Sequence, residues 1–229
     1  MEIRIDSLIE GAQRAEGTVI IIDVFRAFTT AAVAFARGAK KIILVAEVEE
    51  AIALRGQGRG ELCFGEVGGA RPEGFDMGNS PFELSESDVR GKTLIQSTRA
   101  GTVGVSAAKK ASQIYVSSLA IAEATAKAVC NENPDLVTIV AMGNQGEVRT
   151  DEDEQCALYL RNLIEGRPQD RGAVRTLVMN SKWSENFDDP AQPHFHPKDK
   201  EIALQIDSIP VYIRVSREGG LLVARPGGI

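Results

Sequence analysis

Four short polar stretches hold the residues whose types and spacing could do chemistry. Asp23 ends the β-branched run Thr18 to Val24, and Arg26 follows it. A glycine- and proline-rich stretch from Gly65 to Pro81 carries Glu66, Arg71, Glu73, Asp76, Asn79 and Ser80. Ser97, Thr98, Arg99, Gly101 and Thr102 form the third, and Gly143 to Asp153 the fourth. Carboxylates suit a hard divalent cation, which keeps several waters and needs few protein oxygens. Glu66, Asp76, Glu152 and Asp153 are therefore candidates for a Mg²⁺ site, although acids opening a helix, as Asp151 to Asp153 do, also favour its dipole. Asp23 is a candidate metal ligand or acid/base group, or else the N-cap of a helix starting near Ala27. The hydroxyls of Ser97, Thr98 and Thr102, the Arg99 guanidinium and the backbone around Gly101 suit a phosphate or sulfonate, or else form a capped strand-to-helix turn. Arg26 could hold an anion at a helix N-terminus.

Other chemistries have weaker support. His194 and His196 could bind a transition metal, but Pro193 and Pro197 favour an ordered loop and no third ligand is evident. Cys63, Cys130 and Cys156 have neither disulfide nor metal-ligand spacing and read as buried filler. Neither a Gly-x-x-x-x-Gly-Lys-Ser/Thr phosphate loop nor a Gly-x-Ser-x-Gly elbow occurs.

Elements that would position the clusters alternate along the chain. Strands are expected at residues 1–6, 18–24, 41–45, 61–64, 92–96, 113–116 and 136–142. Helices are expected at 27–37, 47–55, 103–111, 118–130 (with Ser117 or Ser118 as N-cap) and 151–165. Residues 81–89 read as a short helix or turn. This alternation predicts a three-layer α/β/α fold with a largely parallel or mixed central sheet, whose ligands bind outside the carboxyl ends of strands. The Gly65–Pro81 stretch cannot hold a regular helix or central strand and reads as a loop. Residues 181–200 are polar and proline-rich, 198–206 suggest a short helix, and 211–215 with 220–224 suggest a closing hairpin turning at Glu218-Gly219-Gly220, an extension packed back on the core. One domain over residues 1–229 is expected. The formal charge of −6 argues against non-specific nucleic-acid binding. No apolar run approaches the ~20 residues of a membrane span, and Met-Glu-Ile-Arg-Ile-Asp lacks signal-peptide character. A cytoplasmic protein without membrane or nucleic-acid partner is expected, with a homodimer expected from the frequency of symmetric dimers.

These motifs resemble one family. Asp23-Val-Phe-Arg-Ala-Phe-Thr-Thr30 resembles the Asp-Val-Leu-Arg-Ala-Thr-Thr-Thr signature of the 2-phosphosulfolactate phosphatases. Gly65-Glu66, Gly74-Phe-Asp-Met-Gly-Asn-Ser-Pro81, Thr98 to Thr102, Glu152-Asp153 and His196-Pro197 through Asp207 are similar to further family segments. Val67 stands where the family usually has arginine, and Arg99-Ala100 replaces Thr-Asn. The resemblance implies a distinct α/β fold and Mg²⁺-dependent hydrolysis of (R)-2-phospho-3-sulfolactate to sulfolactate and phosphate, a step of coenzyme M biosynthesis. The expected scheme holds Mg²⁺ among Asp23, Glu66, Asp76 and Glu152 or Asp153, with Asp23 or Asp76 as base or as nucleophile. Arg26, Arg99, Ser97, Thr98 and the backbone near Gly101 would neutralise the phosphoryl group, and Arg71 and Asn79, beside Ser80 and Thr102, would hold the rest of a small anionic phosphorylated substrate. The alternatives are a non-catalytic binding module for a phosphorylated or sulfonated metabolite, and a transition-metal hydrolase using His194 and His196.

Overall fold

The computed structural model describes residues 1–228. Among these, the strands are β1 (Glu2–Ser7), β2 (Gly17–Ile22), β3 (Lys41–Val45), β4 (Leu62–Gly65), β5 (Thr93–Ser97), β6 (Ala111–Ser117), β7 (Leu136–Ala141), β8 (Val211–Glu218) and β9 (Leu221–Gly228). The helices are α1 (Leu8–Arg14), α2 (Ala27–Ala36), α3 (Val48–Gly56), α4 (Pro81–Glu86), α5 (Gly101–Ala107), α6 (Ala122–Glu132), α7 (Asp151–Ile164), α8 (Arg171–Met179) and α9 (Pro197–Ala203). The strands form one mixed sheet in the order β1-β7-β2-β6-β8-β9-β3-β5-β4. The expected three-layer arrangement is present. Val19 and Ile21 face a core shared with α1, α2 and α5, and Ile20 and Ile22 face the α6–α7 layer. On the other half, Ile42 and Leu44 join the first core, whereas Ile43 and Val45 pack against α3.

Two parallel blocks flank the middle of the sheet. β1, β7, β2 and β6 are parallel to one another, as are β3, β5 and β4. The C-terminal hairpin joins them: β8 pairs antiparallel with β6, β9 antiparallel with β3, and the two with each other. The tail is thus two central strands rather than an appendage to a finished core. Its alternation explains this, since Ile213 and Val215 are buried while Arg214 and Ser216 are exposed. Gly219 and Gly220, at φ 58° and 85°, make the two-residue turn.

This pairing leaves the two blocks running in opposite directions. Twist brings their carboxyl ends back together. At about 20–25° per neighbouring pair, the five pairings from β2 to β5 turn the second block by more than a right angle. The sheet thereby curls around α2, where residues 27–35 are all buried and carry no charge, the pattern of a helix enclosed on every side.

Some local expectations differ. The helix expected at 103–111 ends at Ala107, and Ala111 already begins β6. The segment expected to be helical from Ser118 starts as a 3-10 turn, Leu119–Ile121. Neither Ser117 nor Ser118 caps it, because Ser117 Oγ bonds Thr125 and Asp207 instead accepts from Glu123 N at 2.7 Å. The short helices α1 and α8 and the 3-10 segment Lys182–Asp188 had no expected counterpart.

Gly65 ends β4 at φ 153°, and a Cβ there would meet Ser97 O at 1.8 Å. At Gly104 a Cβ would meet the Met142 sulfur at 2.4 Å, a group that can move. Gly65→Ala is therefore expected to cost about 3 kcal/mol or more and Gly104→Ala about 1–2 kcal/mol, as read by urea denaturation; equal losses would show that the Gly65 contact is not rigid.

Candidate active site

The four polar clusters stand at strand carboxyl ends and meet through carboxylates. Asp23 Oδ1 accepts from Ala27 N, in the first turn of α2, and Oδ2 from Gly101 N at the start of α5, both at 2.9 Å. Position 101 is a glycine because a Cβ would lie 2.9 Å from Asp23 Oδ2 and from the Ala27 Cβ. Asp153 Oδ1 accepts from Val24 N at 2.7 Å and Oδ2 from Gly143 N at 2.8 Å. Glu66 Oε1 accepts from Arg99 N at 2.7 Å and Oε2 from Gly69 N at 2.8 Å. Each carboxylate thus ties two backbone segments together. Asp23 is not the N-cap of α2 weighed from the sequence, a position Arg26 occupies, but it accepts from the first helical N–H and lines the cavity.

That cavity, of about 240 Å³, is lined by Asp23, Glu66, Glu152, Asp153, Arg26, Arg99 and Asn79 from the expected set. Glu152 differs from the other acids. It is 4% exposed, and its Oε2 has no hydrogen-bond partner among the described residues. Burial, with Asp23 and Asp151 adding like charge, pushes its carboxyl up to about 7. Burial likewise raises Asp23 to about 6 against the opposing hydrogen bond from Ala27, and raises Asp153 well above the usual carboxylate range with Asp23 and Glu152 beside it. Such crowding of acids is a state a divalent cation would relieve. Among the described residues no three His, Cys, Asp or Glu side chains enclose an ion by themselves. A cation that keeps its waters needs only one or two carboxylates, and the free Glu152 oxygen with Asp23 could supply them.

Arg26 is 2% exposed and heavily engaged. Its guanidinium donates to Asp199 at 2.9 Å, to His194 O at 2.7 Å and to Gly69 O at 3.0 Å. It also lies 4.6 Å from the Phe195 ring centroid. Asp199, fully buried on α9, accepts as well from Ser80 Oγ at 2.6 Å and Phe82 N at 3.0 Å. This pair binds the starts of α2 and α4, the glycine-rich loop and the C-terminal segment into one wall.

Several expected site residues lie elsewhere. Asp76 turns away from the cavity: its Oδ2 accepts from Arg55 at 2.6 Å and from Cys63 N at 2.7 Å, anchoring the glycine-rich loop to β4. Arg71 is exposed and sits 3.8 Å from Glu83, in an outer crevice that also includes Ser80, His194 and His196. Ser80 caps α4. Ser97 Oγ donates to Ala46 O at 3.3 Å. Thr98 and Thr102 bond each other across the first turn of α5, so their groups serve the turn, and Gly101 contributes its N–H to Asp23 rather than to the cavity. His196 Nδ1 accepts from Lys198 N at 3.1 Å and caps α9; no third metal-binding side chain joins the histidines among the described residues. Asp199 and the cavity-lining Trp183, Phe187 and Phe195 were not singled out from the sequence. The available signal was aromatic residues inside an otherwise polar, proline-bounded run.

Fold and site together define an α/β protein with an acid-lined pocket at its strand ends. Residues 3–201 match the family described as 2-phosphosulpholactate phosphatase. The chain is 36% identical over 183 residues to a probable 2-phosphosulfolactate phosphatase of Bacillus subtilis, covering 79% of this chain and 78% of that protein. Proteins of the same description from Clostridium acetobutylicum (36% identity) and Cyanothece sp. (37%) match over 66% and 62% of this chain, and over 63% and 60% of their own length, less than two thirds. The chain belongs to the 2-phosphosulpholactate phosphatase family.

Because the folded protein holds the Glu152 proton more tightly than an unfolded chain does, protonation favours folding. That contribution is present below the ordinary 4.5 and is lost as pH rises through about 7. Without divalent cations, Glu152→Gln should match the parent near pH 4.5 and be more stable by about 1–3 kcal/mol at pH 8; a difference independent of pH would contradict this. Asp199→Ala leaves the buried Arg26 charge unpaired and should cost about 3–5 kcal/mol, measured by the same denaturation.

Proposed function

We propose that the protein hydrolyses a small acidic phosphate monoester with the aid of Mg²⁺, and that (R)-2-phospho-3-sulfolactate is the compound to test first. Glu152 carries this reading: a buried carboxylate with a free oxygen, facing a cavity that also holds Asp23 and Arg99. The family and the relatives' names support the reaction type. Hydrolysis breaks the ester P–O bond and joins a water oxygen to phosphorus, releasing phosphate and a 2-hydroxy acid.

Glu152 and Asp23 would hold the ion, and Mg²⁺ bound there would polarise phosphoryl oxygens and orient the attacking water. Glu66 fixes the backbone of Arg99, so the guanidinium at that position meets an anionic substrate from a defined turn. Arg26 contributes position more than free charge, since Asp199 and two backbone carbonyls take three of its five N–H groups. Trp183, Phe187 and Phe195 line the cavity, and apolar surface there would strengthen charge interactions inside. Asp23 is a poor base here, because each of its oxygens already accepts a backbone N–H.

Phosphate release from 2-phospho-3-sulfolactate and a small panel of 2-phospho acids, with Mg²⁺ or with chelator, tests the reading. Release that stops on chelation, and falls at least about a hundredfold in Glu152→Gln, is expected. Release indifferent to chelator would remove Mg²⁺ from the scheme, and tight binding of these esters without release would make the protein a binding module for phosphorylated or sulfonated metabolites.

A further inference from the structure

Asn79 Oδ1, Thr150 Oγ and Glu152 Oε2 line the cavity, are buried, and have no hydrogen-bond partner among the described residues. A polar atom left unmet and out of reach of water costs stability, so its retention calls for a reason. The free Glu152 oxygen has one in the ion proposed above. Thr150, 3% exposed and two residues before Glu152, has no part in that scheme.

Thr150 stands at the N-cap of α7, in extended backbone at φ −126° and ψ 145°. A threonine hydroxyl there ordinarily accepts from an N–H of the first turn. Ser80 and Ser181 do so at the starts of α4 and of the 3-10 segment, from Glu83 N at 3.1 Å and Ser184 N at 3.4 Å. Thr150 makes no such bond. Its hydroxyl lies close to the Glu152 carboxylate instead: burial raises that carboxyl, and the N–H of Glu152 itself and the Thr150 hydroxyl oppose the rise. The two side chains stand together without completing a hydrogen bond.

A carboxylate has two oxygens. When one meets a cation, a donor on the other fixes the orientation of the group, and such outer partners govern metal affinity. The nearby acids Asp23 and Asp153 are acceptors when ionised, and Arg26 is held by Asp199. The amides of Asn79, Asn144 and Asn186 also line the cavity and are donors suited to the anionic groups of a substrate. The Thr150 hydroxyl is a neutral donor on the same helix start as Glu152, and it brings no charge to compete with the cation.

We infer that Thr150 is a positioning residue: its hydroxyl donates to one oxygen of Glu152 and leaves the other for the divalent cation. This rests on the cation-assisted phosphatase reading and names the residue that tunes the affinity for its ion.

The test compares the full-length parent with Thr150→Val, which keeps the shape and removes the hydroxyl, and with Thr150→Ser, which keeps the hydroxyl. Mn²⁺ affinity, read by electron paramagnetic resonance with Mg²⁺ in competition, is expected to fall about tenfold or more in Thr150→Val and to return to within about threefold of the parent in Thr150→Ser. Without divalent cations the urea midpoint of Thr150→Val should be no lower than that of the parent, because the hydroxyl leaves no partner behind. In phosphate release, Thr150→Val should need about tenfold more Mg²⁺ for half its maximal rate and recover most of the parent kcat at saturation. Thr150→Val that binds Mn²⁺ as tightly as the parent overturns the inference and leaves the cation-assisted reading intact, as does a loss of affinity that Thr150→Ser fails to recover. A parent that binds no divalent cation overturns that reading, and this inference with it. If Thr150→Val does not fold, Thr150→Ala, which also lacks the hydroxyl, decides in its place.

Discussion

Three carboxylates, two buried and one partly buried, hold the strand ends together, and they shape the cavity. Asp23, Asp153 and Glu66 each take two backbone N–H groups from segments far apart in the chain. Hydrogen bonds to a charged acceptor contribute about 1.5–3 kcal/mol each, whereas removing a carboxylate from water costs several kcal/mol. The balance is visible at Asp23, where burial still wins and lifts the carboxyl from 3.8 to about 6, on the order of 3 kcal/mol against the ionised form. A structure that keeps these acids ionised near neutral pH therefore holds unrelieved charge at its centre.

That strain has a direction. The three stapling carboxylates each spend a lone pair of both oxygens on backbone N–H groups, so they meet a ligand with the remaining ones and with their charge. Among the described residues Glu152 alone carries a buried carboxylate oxygen without a protein partner. The negative field surrounds the acid with the freest oxygen, while the main buried cation, Arg26, is locked to Asp199. The division separates residues that build the cavity from the few that can meet a ligand.

The strand ends were legible because β-branched runs such as Thr18 to Val24 stop abruptly at polar residues, and glycines mark where the backbone must come close. The acids on α7 were legible from their position before an amphipathic run. Asp76 and Asp199 show where reading fails. Both are aspartates in polar, proline-containing stretches. Asp76 bonds neighbours within 21 residues, whereas the partners of Asp199 lie 117 to 173 residues away; nothing local distinguishes a loop anchor from a long-range clamp. The same holds for the hairpin: alternation at Val211 to Val215 marks a strand but not which strands it will separate. The seven residues of α1 are too few to show a period.

The position of that hairpin also bears on how the protein comes into being. Strands β8 and β9 follow every other strand in sequence yet occupy the centre of the sheet. Until Val211 to Gly228 leave the ribosome, β6 and β3 each present an unpaired edge, the kind of surface that recruits foreign strands. Joining the blocks requires contacts spanning much of the chain, which slows folding. The stretch of synthesis in which both halves are present and still apart is therefore the one most open to wrong strand pairing.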